Sequence, residues 1–351
     1  MKIGFLTHTM NKKRGDGRFS SDIINEVISR GHEVVVLKAV DDGLMGEVVL
    51  GRGINIFKSL SKISELLKDC DVIHVIDPYP YGVIAWLVNR NLKKKLIISA
   101  LGTYAVAPLY RWRTSYLVRQ TYKSAHKVVA ISKFTKNKIQ EKIKLNNLVI
   151  INPGIRLDGE TPKRIEPSER FIMGVGALKE RKGYHIALEA FAKISKEFPD
   201  LKYKIVADYD KSYRDILDDI IKENNLKGRV EFFSEISDEE LFKLYSSASL
   251  FVLTSINTAD IHFEGFGIVY LEAARFGLPM IGTFDTGGED AINNGKNGIL
   301  VHQNNIEETA GAMRKILSDQ GLWKQMSRES IEWSKLNTIE KEVDKILEIY
   351  I

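Results

Sequence analysis

Short runs of valine, isoleucine and leucine with little polar alternation recur along this chain, separated by stretches of helical periodicity. A strand that is apolar on both faces must be covered on both faces, and a helix between consecutive strands is the connection a parallel sheet requires. In the first half the runs are Ile3 to Thr7, Glu33 to Leu37, Val72 to Ile76, Leu96 to Ser99, Val128 to Ile131 and Leu148 to Ile151. The polar loop Thr9 to Arg18, with Gly15 and Gly17, precedes a helix expected over Phe19 to Ser29 and stopped by Gly31. Between Asn152 and Arg170 the series breaks at Pro153, Gly154, Pro162 and Pro167, which reads as a linker. A second series follows. Its strands are Phe171 to Val175, Tyr203 to Val206, Val230 to Phe233, Leu250 to Leu253 and Met280 to Thr283; its helices are Tyr184 to Phe198, Tyr213 to Asn224, Asp238 to Ser246 and Gly265 to Phe276. The pattern predicts two doubly wound α/β domains facing a cleft, with ligands at the carboxyl ends of the strands. The expected divisions are 1–155, 156–332 and a terminal segment 333–351, in which Trp333 to Tyr350 reads as one amphipathic helix.

A chain of 351 residues, 44% hydrophobic and 28% charged, has the size and composition of a two-domain globular protein. Cys70 is the single cysteine, so no disulfide within the chain is available. The apolar start at Ile3 is too short for a signal-peptide core, and no run reaches the roughly 18 residues that span a bilayer. A cytoplasmic protein is expected, peripheral on the inner membrane face if it meets a membrane at all. From Arg90 to Lys144 lysine and arginine recur throughout, and Glu141 is the only acid.

Chemistry concentrates in Glu264-Gly265-Phe266-Gly267-Ile268-Val269-Tyr270-Leu271-Glu272. The first amides of a helix have no internal partners and carry the positive end of its dipole, and glycines let a phosphate approach them. Glu264 then stands at the helix mouth and Glu272 a little over two turns along, so a diphosphate fits between two acids that accept from sugar hydroxyls. Taken alone, the two glutamates read as solvated. A second segment, Gly176-Ala177-Leu178-Lys179-Glu180-Arg181-Lys182-Gly183, lies between a strand and a helix, where Lys182 and Arg181 put positive charge beside a diphosphate. It reads equally as a solvated basic turn.

The Glu264 to Glu272 segment resembles the donor motif of the retaining family 4 (group 1) glycosyltransferases, enzymes of the GT-B fold with two Rossmann-like domains. The resemblance implies that Glu264 contacts the transferred sugar, that Glu272 contacts the ribose, and that Gly265, Phe266, Gly267 and Ile268 border the donor. It further implies that Gly15 and Gly17 lie near the donor phosphate and sugar, that Lys182 holds the diphosphate, and that the terminal helix crosses back to the N-terminal domain. Arg30-Gly31-His32-Glu33-Val34, Ile131-Ser132, Asn152-Pro153-Gly154-Ile155, Gly287-Gly288 and Asn297-Gly298 extend the match in family order. Two positions depart from it. Ala177 stands where the family has an arginine, and Leu101 stands where many members have a histidine before Gly102-Thr103. Arg181 is expected to supply the missing cation. His126 reads as structural.

No Asp-x-Asp triplet reads as the kind that holds a divalent cation against a diphosphate, and histidine and cysteine are sparse, so neither a metal nor a cofactor is expected beyond the nucleotide-sugar substrate. The resemblance implies retention, and with no evident covalent nucleophile the departing diphosphate is expected to take the acceptor's proton on the front face. Pro108 to Arg119 mixes arginine with tryptophan and tyrosine, the composition of an interfacial helix, and equally that of a solvated basic face with its aromatics in the core. The first reading makes the acceptor a lipid-linked glycan and the partner an anionic membrane surface. No nucleic-acid motif accompanies the basic stretch. Alternatives are a nucleotide-sugar epimerase, a glycan phosphorylase, which ordinarily needs a longer chain and a pyridoxal cofactor, and a sugar-nucleotide-binding protein with weak or no transferase activity.

Overall fold

The computed structural model describes residues 1–12, 15–51, 55–157, 159, 162–166, 168–208 and 210–351; the side chains of 55–58 are not described. The chain forms two compact units, Met1–Arg156 with Ile339–Ile351, and Leu157–Thr338. Expected linker residue Pro167 lies outside the described residues.

Unit 1 carries β1 (Lys2–Thr7), α1 (Gly15–Ser29), β2 (Glu33–Lys38), β3 (Glu47–Val48), α2 (Asn55–Leu67), β4 (Val72–Ile76), α3 (Val83–Leu92), β5 (Lys95–Ala100), α4 (Thr103–Tyr110), α5 (Trp112–Ser124), β6 (Lys127–Ala130), α6 (Lys133–Gln140) and β7 (Leu148–Ile150). Its seven strands lie in the order β3-β2-β1-β4-β5-β6-β7, and every pairing is parallel. The order reverses between β1 and β4. Central β4, Val-Ile-His-Val-Ile, is buried along its whole length, as a strand without alternation has to be.

Unit 2 carries β8 (Phe171–Val175), a short helical turn at Glu180–Lys182, α7 (Tyr184–Ile194), β9 (Lys202–Val206), α8 (Lys211–Glu223), β10 (Val230–Phe233), α9 (Asp238–Ser247), β11 (Leu250–Val252), α10 (Ile268–Arg275), β12 (Met280–Thr283), α11 (Gly288–Ala291), β13 (Gly298–Val301), α12 (Ile306–Ser318) and α13 (Gln320–Leu336). The sheet order is β10-β9-β8-β11-β12-β13, again all parallel, with its reversal between β8 and β11. Side-chain caps set several helix starts: Ser237 and Glu240 form a reciprocal capping box on α9, and Asn305 and Asp319 cap α12 and α13.

Three expectations are corrected. The helix after the first strand begins at Gly15, so Gly15 and Gly17 lie in its first turn and not in a loop; Lys13 and Arg14 of that loop lie outside the described residues. The helix expected from Gly265 begins at Ile268, because Gly267, at φ 80°, holds a left-handed conformation that cannot continue into it. The terminal segment is two helices, α13 and α14 (Ile339–Glu348), interrupted at Asn337 and Thr338.

Trp333 belongs to α13 in unit 2, where its indole N–H donates to the Ala291 carbonyl at 2.8 Å. In unit 1, α14 packs on α1 and buries Ile339, Val343 and Ile346, spaced for one helix face. Gly154 N–H donates to Glu342 at 2.7 Å, and Arg30 pairs with Asp344 at 2.9 Å. Beyond α14, Tyr350 is buried with its hydroxyl 2.5 Å from Nδ1 of His74, the one polar residue of β4; Nε2 of His74 meets the Ser99 hydroxyl at 2.8 Å. No helix among the described residues is long and apolar enough to cross a membrane.

Candidate functional site

In an open parallel sheet, loops leave neighbouring strands in opposite directions at the point where the strand order reverses, and a ligand site opens at the strands' carboxyl ends there. In unit 2 the residues that follow β8 and β11 meet at this point. Gly183 makes the approach possible: a β-carbon on it would lie 1.8 Å from the Thr254 carbonyl oxygen, and its φ of 68° is left-handed. The contact is tied by the Thr254 hydroxyl donating to the Gly183 carbonyl at 2.7 Å and by Ile256 N–H donating to the Arg181 carbonyl at 2.9 Å.

This joint delivers Lys182 to Glu264. The Lys182 ammonium, folded back beside Gly176, donates to Oε2 of Glu264; Nη1 of Arg181 lies 3.8 Å from the same oxygen and the Ser255 hydroxyl 3.4 Å from it. Lys182 and Glu264 are each 7% exposed. Burial works against the charged carboxylate, but Lys182 and Arg181 outweigh it and hold Glu264 below the usual carboxyl range. Burial pulls the Lys182 ammonium down from its ordinary value, against the attraction of Glu264. Glu264 is therefore ionised at neutral pH and braced by cations on one side.

Glu264 precedes the lead-in Gly265-Phe266-Gly267, with Phe266 buried, and the loop is pinned by Gly287 N–H donating to the Glu264 carbonyl at 2.9 Å. Gly267 caps α10, whose first residue is Ile268. Glu272, on α10, is also buried and accepts from the Tyr245 hydroxyl at 3.0 Å. Of the residues singled out in the sequence, Lys182, Arg181 and Glu264 are thus in one cluster; Gly265, Phe266, Gly267, Ile268 and Glu272 run on from it. Ala177 contributes no charge here, and Gly15 and Gly17 belong to unit 1. His126 is exposed just before β6.

Sequence reasoning missed Ser255, Tyr245 and the Gly183–Thr254 joint, which carry no motif of their own. It also missed the carboxyl at the reversal point of unit 1. Asp77 directly follows β4, is 9% exposed, and has φ 72°. Leu101 N–H, just beyond β5, donates to Oδ1 of Asp77 at 3.1 Å. Beside it, past the end of β1, His8 Nδ1 and the Tyr81 hydroxyl are 2.7 Å apart.

Two family models match the chain in succession, one described as Glycosyltransferase Family 4 over residues 14–158 and one described as Glycosyl transferases group 1 over residues 160–333. An uncharacterized glycosyltransferase of Haemophilus influenzae is 27% identical, with 98% of each chain aligned. The lipopolysaccharide core biosynthesis glycosyltransferase LpsE of Rhizobium meliloti is 24% identical over 90% of each chain. Among solved structures, Anabaena Alr3699/HepE in complex with UDP superimposes with a TM-score of 0.82 at 19% identity, covering 99% of both chains; its complex with UDP-glucose gives 0.80.

Proposed function

Because the chain belongs to the group 1, family 4 glycosyltransferases and has their fold, we propose that it moves a sugar from a nucleotide-sugar donor held by unit 2 to a hydroxyl acceptor, with retention of configuration. The observation that carries this reading is the buried Lys182–Glu264 pair, with Arg181 beside it, at the reversal point of the unit 2 sheet. Lys182 and Arg181 meet the donor diphosphate, joined by the first amides of α10. Glu264 accepts from a hydroxyl of the transferred sugar and Glu272 from the ribose. As the anomeric carbon–oxygen bond to the diphosphate breaks, negative charge grows on the leaving oxygen, and that charge is what the two cations stabilise. The leaving oxygen takes the acceptor's proton while the acceptor oxygen bonds to the same face of the sugar. Arg181 fills the role left open by Ala177. Its reach toward Glu264 supports this, since a cation that close to Glu264 is close to the phosphate that Lys182 holds.

Calorimetry with UDP-, GDP- and ADP-sugars, followed by product analysis of the anomer, tests the reading; the complexes of the Anabaena neighbour with UDP and UDP-glucose make uridine the first base to try. Lys182→Ala and Arg181→Ala are each expected to depress turnover. A fully active Arg181→Ala would return the cation to some other residue, and failure of every nucleotide sugar to bind would refute the reading. Turnover is expected to survive a chelator, because protein cations do the work of a metal.

The acceptor is a lipid-linked glycan and the protein works on the cytoplasmic membrane face. Support comes from α5, where Trp112, between exposed Arg111 and Arg113, is 82% exposed and Tyr116 one turn on is 67% exposed, with the Arg113 guanidinium 5.1 Å from the Trp112 ring centre. Those aromatics are outside the core, and each basic side chain near an anionic leaflet adds about 1 kcal/mol. Sedimentation with phosphatidylglycerol vesicles is expected at low salt, weakened by salt and by Trp112→Ala with Tyr116→Ala. Equal sedimentation of this double variant would remove the surface from consideration.

A further inference from the structure

We propose that Asp77 is the acceptor-side counterpart of Glu264: a carboxylate that positions the acceptor by accepting a hydrogen bond from one of its hydroxyls. The proposal rests on the transferase reading above and assigns to unit 1 a specificity-determining residue for that reaction.

Unit 1 has one point at which its strand order reverses, between the carboxyl ends of β1 and β4, and Asp77 is the first residue after β4. A doubly wound sheet opens its ligand crevice there. The chain also accepts two costs to hold a carboxyl at this position. A non-glycine residue at φ 72° and ψ 136° is strained, and a carboxyl that is 9% exposed has lost most of its hydration. Only one protein donor compensates in the contacts described for its side chain: Leu101 N–H, on Oδ1 at 3.1 Å. That bond fixes the carboxyl group's orientation through one oxygen. A carboxylate accepts through two oxygens, so capacity for a hydroxyl donor remains.

The surroundings suit a sugar. His8 and Tyr81, joined by their 2.7 Å hydrogen bond with ring centres 6.1 Å apart, stand on the β1 side, Tyr81 buried and His8 half-buried, and aromatic surface at the same strand-end crevice as a carboxylate suits the apolar face and polar rim of a pyranose. On the other side Gly102 leads into α4, whose Tyr104 is exposed. None of these groups brings a cation that would make a phosphate the better ligand, and a neutral polyol is the class that fits.

Burial raises the Asp77 carboxyl to about 7, with the Leu101 amide opposing and Asp16 on α1 adding to the rise. Tyr122 on α5 feels the Asp77 charge in turn; the adjoining elements also carry His8 after β1, His74 on β4, Tyr79 and Tyr81 in the turn after Asp77, Lys95 on β5, Tyr104 and Tyr110 on α4, and Arg113, Tyr116, Arg119 and Lys123 on α5. Acceptor binding therefore strengthens as pH rises through about 7, as the ionised form becomes the hydroxyl's acceptor.

Octyl β-D-glucoside below its micellar concentration serves as the probe, because it offers sugar hydroxyls on an apolar tail. Its affinity is measured by ligand-observed NMR across this pH range, without donor, for wild type, Asp77→Asn and Asp77→Gly. Asparagine keeps an acceptor for Leu101 N–H and tolerates positive φ, and glycine relieves the strain, so both variants retain the fold. The expected result is wild-type binding that improves with pH, weakened about tenfold in both variants at the alkaline end, the loss of one charge-assisted hydrogen bond, with the pH dependence abolished. UDP affinity, read separately, is expected to stay unchanged. Wild-type affinity in either variant, a surviving inflection, or no wild-type binding would overturn the assignment. A wild-type protein that binds the glucoside but turns over no nucleotide sugar would instead refute the transferase reading.

Discussion

Glu264 carries two consequences that pull in opposite directions, and Glu264→Gln separates them. Its carboxylate is the counter-ion of buried Lys182, with Arg181 3.8 Å away. A donor diphosphate needs those same cations, so it meets them already half neutralised. Glutamine keeps the size and the Ser255 contact but removes the charge. Lys182, 7% exposed, is then a buried cation without its ion-pair partner, which is a costly state that an incoming diphosphate relieves. A charge-assisted hydrogen bond of this kind contributes about 1.5–3 kcal/mol. At about 1.4 kcal/mol per factor of ten, Glu264→Gln should tighten binding of the free nucleoside diphosphate by about 10- to 100-fold.

The same change should weaken the glycosyl end of the donor, because an amide accepts less strongly from a sugar hydroxyl than a carboxylate does. The gain seen with UDP or GDP should therefore shrink for the corresponding nucleotide sugar, and turnover should fall. Calorimetry of wild type, Glu264→Gln, Lys182→Ala and the double variant, with and without the sugar, gives a closed cycle. If Glu264→Gln bound the diphosphate no better than wild type while retaining its melting temperature, the competition argued here would be refuted.

Three further outcomes follow from the structure. Gly183→Ala should abolish donor binding measured by calorimetry, since its β-carbon would lie 1.8 Å from the Thr254 oxygen at a left-handed φ, and the joint that presents Lys182 would have to open. Tyr350→Phe should lower stability by about 1–3 kcal/mol in urea titrations, because it leaves one buried nitrogen of His74 unpaired. Two buried groups, His74 on β4 beneath Tyr350 and Glu342 on α14, have opposite pH signatures. Burial lowers His74 to about 3, so its contribution is fully present above its ordinary value of 6.5 and is lost as pH falls from there toward 3. Burial raises Glu342 to about 8, with Gly154 N–H opposing, so its contribution is present below 4.5 and is lost as pH rises toward 8. Glu342→Gln should accordingly gain stability relative to wild type as pH is raised, by about 1.4 kcal/mol for each pH unit within that interval, read from urea midpoints; a pH-independent difference would contradict the assignment.

The parallel sheets were legible because a strand buried on both faces has only one kind of residue to use, and β4, β8 and β12 stand where the apolar runs put them. β3 was not, being two exposed residues with no pattern to detect. The break at Asn337 and Thr338 was hidden for a different reason. Helical periodicity runs through it without proline or glycine, while α13 packs on α10 in unit 2 and α14 packs on α1 in unit 1. Periodicity reports that a face is apolar and not which surface covers it.

The same limit explains the sites. Lys182 and Glu264 were each recognisable, but they lie 82 residues apart and pair only because β8 and β11 are neighbours. Asp77 carried no motif at all. Yet its position has a physical logic that joins it to Glu264: strands that are apolar on both faces leave charged groups no place within the sheet, so carboxylates are displaced to the strand ends, and only at a reversal point do two strand ends leave space beside them. His74 tests that logic from inside. It is an ionisable residue within a fully buried strand, and it is tolerated there because burial keeps it neutral while both ring nitrogens are hydrogen-bonded. Charged chemistry thereby gathers at the carboxyl ends of the strands that are apolar on both faces, whereas β9 holds Lys204 within the sheet through its pairs with Glu169 and Glu231.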